Sequence, residues 1–250
     1  MPLTKKDFDI LKEFNFERSP VCVKYTYKKP SHLDRLNENT TLCTMLKKAQ
    51  EGNAFYADKH NMTCGGAVLG MGDHSPVSLS GEFAAAIKVF EEPRSASRLY
   101  PQIPEIKKGL INYVSFSQLD QFSFDPDVLI IFSENIRQTQ ILLRAASYRT
   151  ANIWTSKITH VLGCAWIYVY PYLSGEINYG LTGLSHGMGR RKLFPDGLQF
   201  ISVPYLMVPL VLHALQDMEW ELPSFKPDGE EFFNRTRNKL AEELPKHKVV

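Results

Sequence analysis

The chain is poor in several things at once. Its 250 residues hold only four cysteines, Cys22, Cys43, Cys64 and Cys164. That is too few and too scattered for the disulfide framework of a small secreted fold, so free thiols in a reducing compartment are expected. No apolar run reaches the roughly 20 residues of a membrane span. The longest, FISVPYLMVPLVLHAL over 200–215, carries Pro204 and Pro209 and reads as a strand followed by a helix. At the amino end, Phe8, Ile10, Leu11 and Phe14 are separated by charges, so the apolar stretch of a signal peptide is lacking and a cytoplasmic location is expected. Neither sign of charge is in excess. The 29 basic and 27 acidic side chains leave a formal +2, which excludes a global field that recruits nucleic acid.

Several signatures of chemistry are missing too. The chain has no GxxxxGK[ST] phosphate loop, no HExxH and no GxSxG, and its GGAVLGMG does not sit in the strand-to-helix context of a dinucleotide fingerprint. Kinase, zincin and hydrolase readings fall away. The cysteines follow no CxxC spacing, so a zinc ribbon or a local redox dithiol is not signalled. Glu82, Glu91 and Glu92 read as surface carboxylates, and no acid and base pair stands out.

What remains is a chain whose 44% hydrophobic content easily supplies a packed core. With no repeat and no low-complexity linker, a single domain over 1–250 is favoured. A capping pattern at Thr4 and Asp7 predicts a helix to Phe14. In PVCVKYTY, Val21, Val23 and Tyr25 alternate with Cys22, Lys24 and Thr26, so a strand is predicted with Cys22 on the face opposite the valines. Thr40 or Thr41 caps a helix carrying Leu42, Met45, Leu46 and Ala49, with Cys43 in its first turn, and 55–57 forms a short strand. The apolar residues after Cys64 predict a short helix or helical turn with glycines at both ends. A further helix is expected near 95–100.

INYVSFSQL and the continuous apolar run DPDVLIIFS are strands, the second of the buried central type. It is followed by an amphipathic helix through Ile136, Ile141, Leu142 and Ala145. AWIYVYPYL and LQFISVP are read as further strands, and 205–218 as a helix despite Pro209. Between these strands the glycine-rich GEINYGLTGLSHGMGRRKLFPDG is expected to be an irregular functional loop. A polar helix over 229–244 ends the chain, with Phe232, Phe233 and Leu240 on its apolar side. The fold class is therefore α/β in the mixed α+β sense, a mostly central mixed sheet flanked by helices.

Three places carry candidate chemistry. Cys64, followed by Gly65 and Gly66 before a helical turn, has the backbone partial charge that favours a thiolate and the small neighbours that let a ligand approach. The bland alternative is a small buried residue at a tight turn. Cys43 and Cys164, each taken alone, read as core. In GLSHGMGRRK, His186 among glycines is poorly explained as core filling, and Arg190 with Arg191 suits a carboxylate or phosphate; a solvated basic loop is the alternative. His32, His60, His74, His160, His213 and His247 are read as structural or surface, with His60 set apart because it lies four residues before Cys64.

The blocks PVCVKYTY, LCTMLKKAQEGNAFYA, TCGGAVLGMG, FDPDVLIIF, GRRKLF and ISVPYLMVPLVLHAL together resemble an uncharacterised prokaryotic family, number 169 among the domains of unknown function, over about 19–215. That resemblance implies a cysteine in the helix block, a second before Gly-Gly, a third after the central strand and helix, and often a fourth in a CxGxR-like segment. These fall on Cys43, Cys64, Cys164 and, in HGMGR, on His186, where histidine replaces cysteine and keeps the step to Arg190. Three thiolates and an imidazole match zinc or an iron–sulfur cluster.

The resemblance thus implies a metal or iron–sulfur site at Cys43, Cys64, Cys164 and His186; together with Arg190 and Arg191, read from their own segment as an anion-binding edge, the leading reading is redox or small-molecule chemistry. A metal-free enzyme with Cys64 as catalytic thiolate and His186 or His60 as base is the second reading. A non-catalytic module binding a small anion or peptide, without cofactor, is the third. The expected partners are a small-molecule or anionic ligand and a second copy in a homodimer, with no nucleic acid and no membrane.

Overall fold

Alternation along one strand decides which side of the molecule each cysteine occupies. In the computed structural model, which describes residues 3–243, the strands are β1 (Val21–Thr26), β2 (Thr40–Thr41), β3 (Phe55–Asp58), β4 (Met62–Cys64), β5 (Tyr113–Gln118), β6 (Val128–Ser133), β7 (Asn178–Leu181) and β8 (Gln199–Pro204). Six of them form one sheet in the order β3-β5-β1-β6-β8-β7, and β2 pairs with β4 apart from it. All neighbours in the large sheet run antiparallel. The β2–β4 pair is parallel. The architecture is mixed α+β, as expected, with parallel pairing in the small ladder and in a single bridge between Arg35 and Tyr56.

Because side chains of a strand alternate between faces, β1 sends Val21, Val23 and Tyr25 into one core and Cys22 into another. The second core is closed by a 3-10 helix, Lys5–Phe14, whose capping box joins Thr4 and Asp7, together with α5 (Ile136–Ser147) and α8 (Val208–Asp217). Phe8, Leu11, Ile141, Leu142, Leu212 and Leu215 fill it. Ile136 is not part of the buried stripe of α5; it is 67% exposed, because the helix starts there, at the rim beyond the N-cap Asn135.

The first core is covered by α1 (Leu42–Gln50), through Leu42, Met45, Leu46 and Ala49, and by residues 164–169. The latter were expected as a strand and are helical: a π-helical turn, Ala165–Val169, runs into α6 (Tyr170–Ser174). Every residue of that turn is buried. A helix buried all round shows no apolar stripe, and its Trp, Ile, Tyr and Val then read as strand formers.

The supposed irregular loop also has structure. It holds the edge strand β7, a 3-10 turn over Thr182–Leu184, and α7 (His186–Arg190). Short helices α2 (Pro76–Leu79), α3 (Glu82–Ala86) and α4 (Pro93–Ser97) fill the segment before β5, the last slightly earlier than the helix expected near 95–100. The final helix, α9 (Gly229–Glu243), leaves Phe233 and Leu240 exposed. The expected end of that helix at Leu244, and His247, lie outside the described residues. Among the described residues no helix is long and apolar enough to cross a membrane.

Candidate functional site at the start of α1

Thr41 caps α1, its hydroxyl accepting the Thr44 backbone N–H at 3.2 Å, and this fixes Cys43 in the first turn. Cys43 is buried in the first core. The adjacent Leu42 carbonyl accepts a hydrogen bond from the Tyr168 hydroxyl at 3.1 Å, and the Tyr168 carbonyl accepts one from the Tyr25 hydroxyl at 2.9 Å. Two buried tyrosines therefore tie β1, the π-helical turn and the start of α1 together.

Cys64 arrives beside the same helix start by a different route. It ends β4 in parallel register with Thr41. The next residue, Gly65, has φ +90°, and a Cβ there would lie 2.8 Å from Leu42 Cβ. Only glycine accommodates both that backbone conformation and that approach. Of the short helix or helical turn expected after Cys64, the structure has the turn, closed by hydrogen bonds from Gly70 N–H to the Ala67 carbonyl and from Met71 N–H to the Gly66 carbonyl, both 2.9 Å. One turn aligns too few peptides for a macrodipole, so the thiolate argument built on a helix end does not apply. Cys64 is exposed, whereas the other cysteines are buried.

Cys164 enters from the far end of the chain. A Cβ on the preceding Gly163 would meet Ser185 Oγ at 2.7 Å and Ser185 Cβ at 2.8 Å, so close packing at that glycine sets the start of α7 against the cysteine segment. The His186 N–H donates to the His160 carbonyl at 2.8 Å and seals the same junction.

Electrostatics shows which side chains share a neighbourhood. Burial pushes the Cys43 thiol up to about 12; the charge of Cys64 pushes the same way, and Arg191 opposes it. Burial raises Cys164 well above the ordinary thiol range, helped by Cys43 and Cys64. Tyr168 is raised by burial and then by Cys43, Tyr25 and Cys164. Three thiols from three distant stretches thus lie within one another's field, over a floor of buried tyrosine. Cys43 and Cys164 are neutral thiols at neutral pH. Cys22, on the opposite face of the sheet, takes no part.

The pair of arginines is divided. Arg191 donates to the Gly187 carbonyl at 2.8 Å and is the cation felt by Cys43. Arg190 lines an open cleft of about 830 Å³ with His186 and His160. His186 is absent from the charges that act on the thiols. His60 is exposed in the turn before β4, its N–H bonded to Asp58. Among the described residues, no three His, Cys, Asp or Glu side chains are grouped as metal ligands; the thiols are neighbours without forming a closed ligand shell. Sequence reasoning missed Tyr25, Tyr168 and His160. Gly163 beside Cys164 was the one local signal of a close approach, and the tyrosines gave none.

The family model designated DUF169, described as an uncharacterised ArCR family, matches residues 9–214. No curated protein and no solved structure matches the chain.

Proposed function

The chain belongs to the uncharacterised DUF169 family, and on that premise we propose that it holds a thiolate-bound metal centre, zinc or an iron–sulfur cluster, on Cys43, Cys64 and Cys164, for redox or small-molecule chemistry in the cytoplasm. What carries this reading is the convergence of three thiols from separate stretches at the start of α1, Cys64 acting on Cys43 and both acting on Cys164. A zinc ion there would supply Lewis acidity, and an iron–sulfur cluster would supply one-electron transfer.

The chain's own residues have defined tasks in this reading. Cys43 and Cys164 contribute thiols shielded from water, and loading requires both to release their protons. Arg191 favours that release at Cys43. Cys64, at the exposed end of a three-residue strand, closes the set from the solvent side. Tyr25 and Tyr168 hold the floor rigid through their hydrogen bonds. With three protein sulfurs, such a centre would be open to a small molecule, as in sites that react rather than only brace a fold. His186, which the family-like pattern places fourth, lines the cleft instead.

Metal and acid-labile sulfide content with an absorption spectrum, on untagged protein purified without oxygen, tests this. A stoichiometric metal lost in Cys64→Ser and in Cys164→Ser is expected. A colourless, metal-free wild-type protein that takes up neither zinc nor reconstituted cluster would overturn it. The exposure of Cys64 alone favours a second reading, a metal-free enzyme in which this thiol is the nucleophile; it requires loss of activity in Cys64→Ser with Cys43→Ser and Cys164→Ser active.

A further inference from the structure

The cleft beside α7 gathers basic side chains that form no ion pair among the described residues. Lys88, His160, His186 and Arg190 line it from three separate segments, with Asp196 as the one carboxylate. None of these five side chains makes an ion pair or a side-chain hydrogen bond among the described residues, whereas Arg18, Arg35, Arg149, Lys24, Lys48 and Lys108 all pair with carboxylates. Lys88 and Arg190 outnumber the one carboxylate, and an anion seated between them would complete the charge balance.

The walls are set by the backbone. His186 N–H donates to the His160 carbonyl at 2.8 Å, and Gly183 N–H to the Asp196 carbonyl at 3.1 Å. Left-handed backbone at non-glycine residues clusters here as well: Lys88 (φ 62°) lines the cleft, and Leu162 (φ 53°) and Lys192 (φ 50°) each lie two residues from a lining residue. Such strain persists only where surrounding structure enforces it and is found disproportionately at ligand sites. Val89, Leu181 and Leu184 add apolar wall. At about 830 Å³ the cleft has the size of a small-molecule site.

We propose that this cleft binds a small organic phosphate, its dianionic head on Lys88, His160, His186 and Arg190 and its apolar body on Val89, Leu181 and Leu184. Two fixed cations, Lys88 and Arg190, with two imidazoles as further hydrogen-bond partners, suit the several oxygens of a phosphate better than a carboxylate, and the Arg190 guanidinium presents the fork that grips two phosphate oxygens. Asp196 accepts a hydrogen bond from a hydroxyl or amine of the ligand. The inference does not rest on the thiol centre; the two sites adjoin through the Gly163–Ser185 packing, the His186–His160 backbone bond and α7.

Calorimetric titration of the full-length protein with phenyl phosphate, inorganic phosphate and benzoate is the test. Phenyl phosphate is expected to bind more tightly than either of the others, because it alone carries both the dianion and the ring. Arg190→Gln and Lys88→Gln, both at exposed positions, are each expected to weaken it by about tenfold or more, the loss typical of a charge-assisted hydrogen bond. Cys64→Ser, which would abolish a metal centre, should leave the affinity unchanged, so failure of one site is distinguishable from failure of the other. No saturation at about 10 mM phenyl phosphate, or equal affinity in wild type and both glutamine variants, would overturn the proposal.

Discussion

Thr41 and Cys64 are register partners in a two-strand parallel ladder, and Thr41 is also the cap of the helix that carries Cys43. One residue therefore fixes the positions of two cysteines that are 21 apart in the chain. The ladder is short, but Gly65 lying against Leu42 locks it on the side away from solvent.

That arrangement makes the thiols unequal toward reagents. Iodoacetamide on native, metal-free protein at neutral pH should modify Cys64 alone on a timescale in which Cys22, Cys43 and Cys164 remain intact, because only Cys64 is exposed. Peptide mass spectrometry reads the order directly. Modification of Cys43 or Cys164 as fast as Cys64 would mean that the start of α1 opens freely.

Alkaline pH should destabilise the protein. Cys43 has a folded value pushed up to about 12 against an ordinary 9.0; Cys164 and Cys22 are raised in the same direction by burial. Below pH 9 these thiols are protonated in both states and the contribution is whole. Above it the unfolded chain loses protons that the folded chain keeps, so stability falls as pH rises from about 9 toward 12. Urea midpoints across that range should drop, and Cys43→Ala should drop less steeply. Metal uptake has the opposite dependence, since bound thiols must be ionised.

Gly65→Ala should cost about 1–3 kcal/mol, through a left-handed backbone and a steric conflict acting together. The added Cβ would sit 2.8 Å from Leu42 Cβ, so the start of α1 must shift. Urea denaturation gives the stability, and metal content or Cys64 alkylation should change in the same variant. An unchanged midpoint would show that the β2–β4 ladder gives way without loss.

Tyr168→Phe removes the donor to the Leu42 carbonyl inside a buried region; that carbonyl keeps its bond within α1, so the loss is that of one buried hydrogen bond, about 0.5–1.5 kcal/mol. The loss should appear as a lower thermal midpoint together with faster alkylation at Cys43. Tyr25→Phe, which takes the donor from the Tyr168 carbonyl, should act in the same direction.

How much of this was legible in the chain varies by element. The alternation in β1 placed Cys22 opposite Val21 and Val23, as found, because a period of two leaves no other choice once one face is buried. Of Thr40 and Thr41, both offered by the sequence as the cap of the helix carrying Cys43, Thr41 is the one used, and it was legible because capping is a local hydrogen bond. The residues 165–170 misled for an equally physical reason: burial on every side erases the period on which a helix is recognised. The stretch 175–197 looked irregular because its strand and helix are each only four or five residues long, too short to show a period at all.

The sequence by itself determined the local conformations, the face taken by each side chain of a half-buried strand, and the presence of glycine beside two of the cysteines. Those are properties of neighbours along the chain, governed by capping, alternation and steric size. Only the tertiary structure decided that Cys43, Cys64 and Cys164 share one electrostatic neighbourhood, that Arg191 joins them while Arg190 and His186 turn to a separate cleft, and that His160 and Lys88 belong to that cleft. Those relations depend on which distant segments the sheet and its two cores press together, and long-range packing leaves no periodic trace in the order of the residues.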